Sequence, residues 1–404
     1  MTINLVLVNP NNRVPLPFAA IEPPLWLGLI ADYTVKYVGG VWIVDAEAEG
    51  LTVGETVSRI KSEARYGTKH QKEILIVVMG NNPSVSSTPK MAVAEELLKQ
   101  FPEAKLTGLH PIALNHPKSV AKPFKGFPSV PWFWLPMAQY KAHNWHCLDD
   151  LDKRNPYAVL YTSLNCPYDC FYCNVHTLYG DHKVRYRPME DVKRELDYFA
   201  QQGIRNIKIW DECFTLNKAR VKEICDYIIA QGYDFNMWAY ARLDSVEPLM
   251  LSEMWMAGIR WLAYGFESMK DKKVKEVDMA VHLTKECGLH IIANYMFGLP
   301  GETEADWEAS LNYAIEQNFE WINFSVALPY PGSQWYENLA EKPTDWASFS
   351  QFSPRICADP AVVNFREKAF RYYFSRLEYL SMIRVKFGEK AEAHIKEMVQ
   401  WKLK

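Results

Sequence analysis

The decapeptide "NCPYDCFYCN", residues 165–174, decides how this chain is read: Cys166, Cys170 and Cys173 stand at C-x3-C-x2-C. Thiolates are the form that ligates metals, and three of them crowded on one loop point to metal or redox chemistry. The other five cysteines, at 147, 213, 225, 287 and 357, are scattered. Eight cysteines in 404 residues are too few for a disulfide scaffold and fit a reducing compartment. Two centres suit the trio. Structural zinc takes four ligands, and His176, three residues past Cys173, offers a fourth. An iron–sulfur cube is normally held by four cysteines; with three, one iron keeps an open position where a small molecule can chelate.

The flanks of the loop place it. "YAVLYTSLN" (157–165) is an apolar run that reads as a buried strand leading into the cysteines. After it, "IRNIKIWD", "DFNMWAYAR", "IRWLAYGF", "LHIIANYMFG" and "WINFSVALP" read as further strands, with helices between them. Six βα units predict a parallel barrel or partial barrel over 157–340, whose sites form at the C-terminal strand ends. The cysteine loop follows the first strand and so lies at that end. Asp211, Glu212, Arg242, Asp244, Glu267, Ser268 and Asn294 close other strands there. Carboxylates and an arginine around an open iron suit a zwitterionic, nucleoside-bearing ligand, which favours the cube over zinc.

Upstream, "INLVLVNP", "VWIVDA", "ILIVVMG" and "AKLTGL" alternate with helical patterns and predict a Rossmann-like doubly wound sheet over 1–130. The stretch "HPKSVAKPFKGFPSVPWFWLPM" (116–137) is rich in proline and aromatics, which excludes a long helix there, and 131–156 reads as a connector. Residues 341–404 read as helical, and the basic stretch at their end as a solvated helix face. A net charge of −3 gives no field for nucleic acid. No apolar run is long enough to span a bilayer, and the start of the chain carries no secretory leader, so a soluble cytoplasmic protein with no membrane partner is expected. No G-x-x-x-x-G-K-[ST] loop supports phosphoryl transfer.

The spacing Cys166, Cys170, Tyr172, Cys173 resembles the C-x3-C-x-aromatic-C hallmark of radical S-adenosylmethionine (SAM) enzymes, a likeness that covers about 157–335. The resemblance implies a [4Fe-4S] cluster on the three cysteines and SAM on its open iron. It further implies reductive cleavage of SAM to a 5′-deoxyadenosyl radical, with one electron supplied by a donor such as flavodoxin or ferredoxin. It also implies SAM contacts from Tyr172, Asp211, Glu212, Arg242, Glu267 and Asn294, although the glycines usual before the second-strand acid are absent.

With a Rossmann-like domain ahead of the barrel, the chain resembles the cobalamin-binding subfamily of methyltransferases. The likeness rests on "VNPNN", "PPLWLGLIADY", "NNPSVSSTPKMA", "GLHPIAL" and "LPMAQYKAHNWHC". It implies methylation of an unactivated carbon in a small-molecule or biosynthetic-intermediate substrate. It also implies cobalamin contacts from Asn9, Pro10, Ser84, Ser86, Ser87, Gly108 and His110. Two departures stand against it. "DAEAEG" (45–50) has glutamate where many cobalamin domains place a cobalt-ligating histidine, and it follows the second strand rather than the first. The domain is also shorter than its relatives. A radical SAM isomerase, epimerase or rearrangement enzyme with a vestigial first domain is therefore the second reading, and a zinc-stabilised binding module the third.

Overall fold

The Val-, Ile- and Leu-rich runs that open the chain become strands buried between helices, as continuous apolar runs in parallel sheets do. The structure, a computed structural model, describes residues 3–11, 18–63, 71–78, 87–120, 129–270, 272–351 and 359–401. Strands β1 (Ile3–Asn9), β2 (Gly40–Asp45), β3 (Gln71–Val78) and β4 (Lys105–Gly108) form one parallel sheet ordered β2-β1-β3-β4. Helices α1 (Leu25–Thr34), α2 (Val53–Glu63), α3 (Ser87–Gln100) and the short α4 (Pro111–Asn115) alternate with them. The order reverses between β1 and β3, the switch point of doubly wound sheets.

The connector follows as isolated 3-10 turns at 132–134, 137–139 and 145–147. Its Trp132, Leu135, Tyr140 and Trp145 are buried, so the apolar payload of a proline-rich segment fixes it to the body.

The second unit starts with β5 (Tyr157–Leu160). A two-stranded antiparallel ribbon, β6 (Ser163–Leu164) with β7 (Arg185–Tyr186), brackets the cysteine loop and helix α5 (Val175–Tyr179). Then come α6 (Met189–Gln201), β8 (Asn206–Ile209), α7 (Lys218–Gln231), β9 (Asn236–Ala241), α8 (Pro248–Met256) and β10 (Ile259–Glu267). The repeat closes with α9 (Val274–Glu286), β11 (His290–Phe297), α10 (Glu304–Gln317) and β12 (Trp321–Val326). Six parallel strands ordered β12-β11-β10-β9-β8-β5 make an open, partial (β/α)6 barrel. Asn217 and Thr303 cap α7 and α10 with their side chains, which fixes where each crossover turns back to the sheet.

Trp145 of the connector plugs the N-terminal end of the barrel, with its ring 5.2 Å from Trp238, 5.5 Å from Trp261 and 6.4 Å from Trp321. Beyond β12, α11 (Gln334–Glu337) leads to α12 (Pro360–Ser375), α13 (Leu377–Phe387) and α14 (Glu389–Gln400). Tyr373 and Tyr379 of this region donate to the carbonyls of Phe319 and Glu320, anchoring it on the β12 edge. The basic end of the chain is a set of paired surface cations: Lys386 meets Glu320, Lys390 meets Asp152 and Lys396 meets Glu392.

The C-terminal edges of the two sheets abut. A Cβ added to Gly332, in the turn after β12, would lie 2.8 Å from Pro111 of α4 and 3.0 Å from Thr177 of α5. Thr177 also donates to the Gly332 carbonyl at 2.8 Å.

Candidate functional site

Asn165 starts the cysteine loop in the left-handed region, φ 73°, a conformation asparagine tolerates because its side chain bonds locally. Its Oδ1 accepts from the Cys166 amide at 2.9 Å, and its Nδ2 donates to the Asp181 carbonyl at 2.6 Å and the Lys183 carbonyl at 3.2 Å. The Cys173 amide closes a turn onto the Cys170 carbonyl at 2.9 Å. From across the barrel, Trp335 donates its amide to Phe171, and the Asn174 side chain donates to Pro331. The loop is therefore pinned at both ends and in the middle.

Cys166, Cys170 and Cys173 all face one cavity of about 1650 Å³ that fills the barrel. Burial, and then the neighbouring thiols, push Cys173 up to about 12; burial pushes Cys166 up to about 11. Cys166 and Cys173 held this way stay protonated until a cation gives their charge a partner. This donor set fits an iron–sulfur cluster bound through three thiolates. A four-ligand zinc site does not fit, because His176 is turned into the loop itself. Its Nδ1 faces Asn165 Oδ1 at 3.2 Å and its Nε2 faces the Tyr168 carbonyl at 2.6 Å. Asp169, His176 and His182 do gather, with potential ligand atoms within 4.8 Å of one another, but both His176 nitrogens already have partners.

Glu212 and Glu267 line the same cavity. Tyr179 donates to Glu212 Oε1 at 3.0 Å, while Oε2 is buried without a partner. An orphaned buried acceptor costs roughly 1–3 kcal/mol, which a ligand donor would recover. Glu267 sits at φ 57°, where the register of β10 shifts between Gly265 and Glu267. The bulge turns its carboxylate back over Gly265, whose added Cβ would lie 2.5 Å from Glu267 Oε1. Only glycine leaves that space. Burial pushes both carboxyls up to about 7. Tyr172 lies in the wall too, with its hydroxyl pushed up by burial and then by Glu267.

Arg242 grips Asp244 through two bonds of 2.9 and 2.8 Å, and its guanidinium lies 3.7 Å over the Tyr168 ring, clamping the cysteine loop from β9. Asn294 completes an amide ladder: its Nδ2 donates to the Tyr264 carbonyl at 3.0 Å and its Oδ1 accepts from Asn323 at 2.9 Å.

Asp211 differs. It is absent from the cavity wall. Its carboxylate accepts from the Thr162 amide at 2.6 Å, the Thr162 hydroxyl at 2.6 Å and the Ser163 hydroxyl at 2.5 Å. It ties the end of β8 to the end of β5 through these three bonds.

In the first sheet, Ser84 and Ser86 lie outside the described residues, and of Ser87 only its place at the start of α3 is described. Pro10 is buried at the end of β1. Asn9 donates to Asp45 at 2.7 Å and accepts from Lys90, which also pairs with Glu47. His110 is fully buried and pushed down to about 3 by that burial. Its Nε2 meets the Thr88 hydroxyl at 2.9 Å, and its Nδ1 caps α4 by accepting from Ile112. Gly108, at φ 141°, would place a Cβ 2.0 Å from the Val78 carbonyl oxygen. None of Asn9, Pro10, Gly108 and His110 lines the barrel cavity.

Sequence reasoning missed the floor of the cavity. Lys208, a lone cation inside the apolar strand "NIKI", faces Glu22 at 3.3 Å and lies 4.8, 4.9 and 5.4 Å from the ring centroids of Trp210, Trp238 and Tyr240. Burial pushes Glu22 up and Lys208 down, and their pairing opposes both shifts. A lysine in a strand buried on both faces was the available signal. Also missed were Arg366, Phe370, Met398 and Trp401, which the C-terminal helices add to the wall.

Known proteins resemble this chain in sequence profile and in fold. The radical SAM superfamily profile matches residues 160–314. An uncharacterised methyltransferase of Pyrococcus horikoshii is 25% identical over 88% of this chain and 87% of that protein. Other curated relatives are matched over 31% to 53% of their own length. Among solved structures, the radical SAM methyltransferase TsrM from Kitasatospora setae, with cobalamin and a [4Fe-4S] cluster bound, superposes at TM-score 0.61 and 14% identity. That match covers 93% of this chain and 88% of TsrM. The cobalamin-dependent radical enzyme OxsB, with aqua-cobalamin and SAM bound, superposes at 0.51 and 16% identity, covering 90% of this chain and 56% of OxsB.

Proposed function

We propose that this chain, whose residues 160–314 match the radical SAM superfamily profile, is a cobalamin-dependent radical SAM methyltransferase acting on an unactivated carbon of a small molecule. The observation that carries this reading is the pairing of two sheet edges: the cysteine loop and α5 of the barrel meet α4 of the Rossmann-like domain at Thr177, Gly332 and Pro111. Likeness to corrinoid-binding enzymes spans both domains. When bound, a [4Fe-4S] cluster supplies the electron that cleaves SAM, and a corrinoid supplies the methyl group for transfer.

Cys166, Cys170 and Cys173 hold the cluster. The Glu212 Oε2 orphan and the Glu267 carboxylate await donors and positive charge, which suits the ammonium and ribose of SAM. Tyr172 and Asn294 border the same ligand. Arg242 keeps the loop in place through Tyr168 rather than touching SAM, and Asp211 braces the strand ends. The tryptophan cluster at the far end of the barrel would help keep water from a carbon radical. A flavodoxin or ferredoxin would supply the electron, and the reaction belongs in the cytoplasm.

His110 is no cobalt ligand, since both its ring nitrogens are engaged. The buried bonds among Asn9, Asp45, Lys90 and Glu47 favour one second reading, a radical SAM isomerase, epimerase or rearrangement enzyme whose first domain only packs. Gel filtration after anaerobic loading with hydroxocobalamin separates the two. About one corrinoid per chain is expected; protein emerging free of corrinoid overturns the methyltransferase and leaves the second reading.

A further inference from the structure

Helix α12 buries one stripe against the barrel. Val362 packs on Gly298, the Phe365 ring lies 5.0 Å from Phe297, Ala369 is buried, and Tyr373 donates to the Phe319 carbonyl. Arg366 belongs to that stripe by helical spacing, and a cation there is out of pattern. Arg366 is one of the residues that line the cavity. Nε is buried with no hydrogen bond, and among the described residues Arg366 makes no ion pair. Burial pushes its proton affinity down, opposed only by the charge of its exposed neighbour Glu367.

Other charged groups of the cavity are accounted for differently. Lys208 pairs with Glu22, Arg242 with Asp244 and Lys273 with Glu276. Lys272, Lys275 and Arg371 also border the cavity but are exposed, so among the described residues Arg366 is the half-buried guanidinium of the wall without a counter-ion. In strand order it also stands at the opposite edge from the cysteine loop, since α12 packs on β12 whereas that loop follows β5. Phe370, from the same helix, borders the cavity beside it.

We infer that Arg366 is the specificity-determining residue for an anionic head group, a carboxylate or a phosphate, on a substrate whose apolar body rests on Phe370. The inference rests on the barrel cavity being the substrate chamber of the proposed enzyme. A guanidinium offers paired N–H donors matched to either oxyanion, and desolvation makes the bond stronger than at a surface.

The test uses the full chain without cluster, titrated with phenyl phosphate, benzoate and uncharged phenol and followed by tryptophan fluorescence. At least one anion should bind about tenfold more tightly than phenol. Arg366→Gln should bring it to the level of phenol, and Arg366→Lys should keep part of the gain. The anion that loses most identifies the head group. Anions that bind no better than phenol, or an affinity that Arg366→Gln leaves within about twofold, overturn the inference.

Phenylglyoxal modification of the wild-type chain, mapped by mass spectrometry, decides the matter if the variant does not fold. The tighter anion should slow modification of Arg366. An Arg366 that SAM protects and the anion does not would belong to the SAM site instead, and the inference would fall. None of these readouts depends on SAM cleavage, so loss of the radical reading and loss of this one are told apart.

Discussion

Asp45 closes the second strand of the first sheet, and Glu212 follows the second strand of the barrel, yet the two carboxylates live differently. Asp45 accepts from Asn9 at 2.7 Å, from the Tyr140 hydroxyl at 2.7 Å and from the Ala48 amide at 3.1 Å. Glu212 has one partner, and its second oxygen is buried with none. The same contrast runs along both edges. Lys90 and His110 are engaged within the first domain, whereas Glu267 and Arg366 face a cavity with no hydrogen bond or ion pair among the described residues. In the first sheet these polar groups are spent on the fold, as Asp211, Arg242 and Asn294 are in the barrel, whereas Glu212, Glu267 and Arg366 keep capacity to spare. Stability is expected to reside in the first set and binding in the second.

The largest expected effect sharpens the binding side. Cys170→Ala should reduce deoxyadenosine formation from SAM to background and lower bound iron, both measured after anaerobic reconstitution, with little change in the circular dichroism spectrum. On the other side, Asp45→Ala strips three bonds from a buried network and should cost about 4 kcal/mol in urea unfolding. Glu212→Gln should cost less than about 1 kcal/mol in the same assay while weakening SAM binding. Equal losses in both variants would break the comparison.

Glu267 gives the contrast a pH signature. Its carboxyl is raised from 4.5 to about 7 in the folded chain. Between those values the native state binds more protons than the unfolded state, so stability falls as pH rises, by about 3 kcal/mol in all. Cluster-free protein should therefore unfold at lower urea at pH ~7.5 than at pH ~5, and Glu267→Gln should flatten that decline. A decline equally steep in the variant would show that the cost lies elsewhere.

Two glycines supply the smallest test. Gly108→Ala meets backbone, the Val78 carbonyl, and should lower stability by about 2 kcal/mol. Gly265→Ala meets only the movable end of Glu267, so its melting temperature should hold while SAM affinity drops about tenfold.

Much of this was legible in the chain. Continuous apolar runs such as "INLVLV" and "HIIANYMF" marked strands buried on both faces, and the cysteine spacing singled out the loop that borders the cavity. What escaped depends on contacts between distant segments. Nothing near Asp211 in sequence shows that Thr162 and Ser163 will consume its carboxylate. Glu22 and Lys208 pair across 186 positions. Arg366 gave no signal in the sequence, because which face of α12 is buried is settled by the barrel edge it covers. His110 read as a ligand-side loop residue, whereas Thr88 and the cap of α4 take both its nitrogens.

The most direct measurement is made on wild-type protein reconstituted with iron and sulfide under anaerobic conditions, given SAM and dithionite. Deoxyadenosine and methionine should accumulate, and the electron paramagnetic resonance signal of the reduced cluster should change when SAM is added. A colourless protein that retains zinc on its cysteines, or a brown one whose spectrum ignores SAM and which releases no deoxyadenosine, would contradict an iron left open by three thiolates.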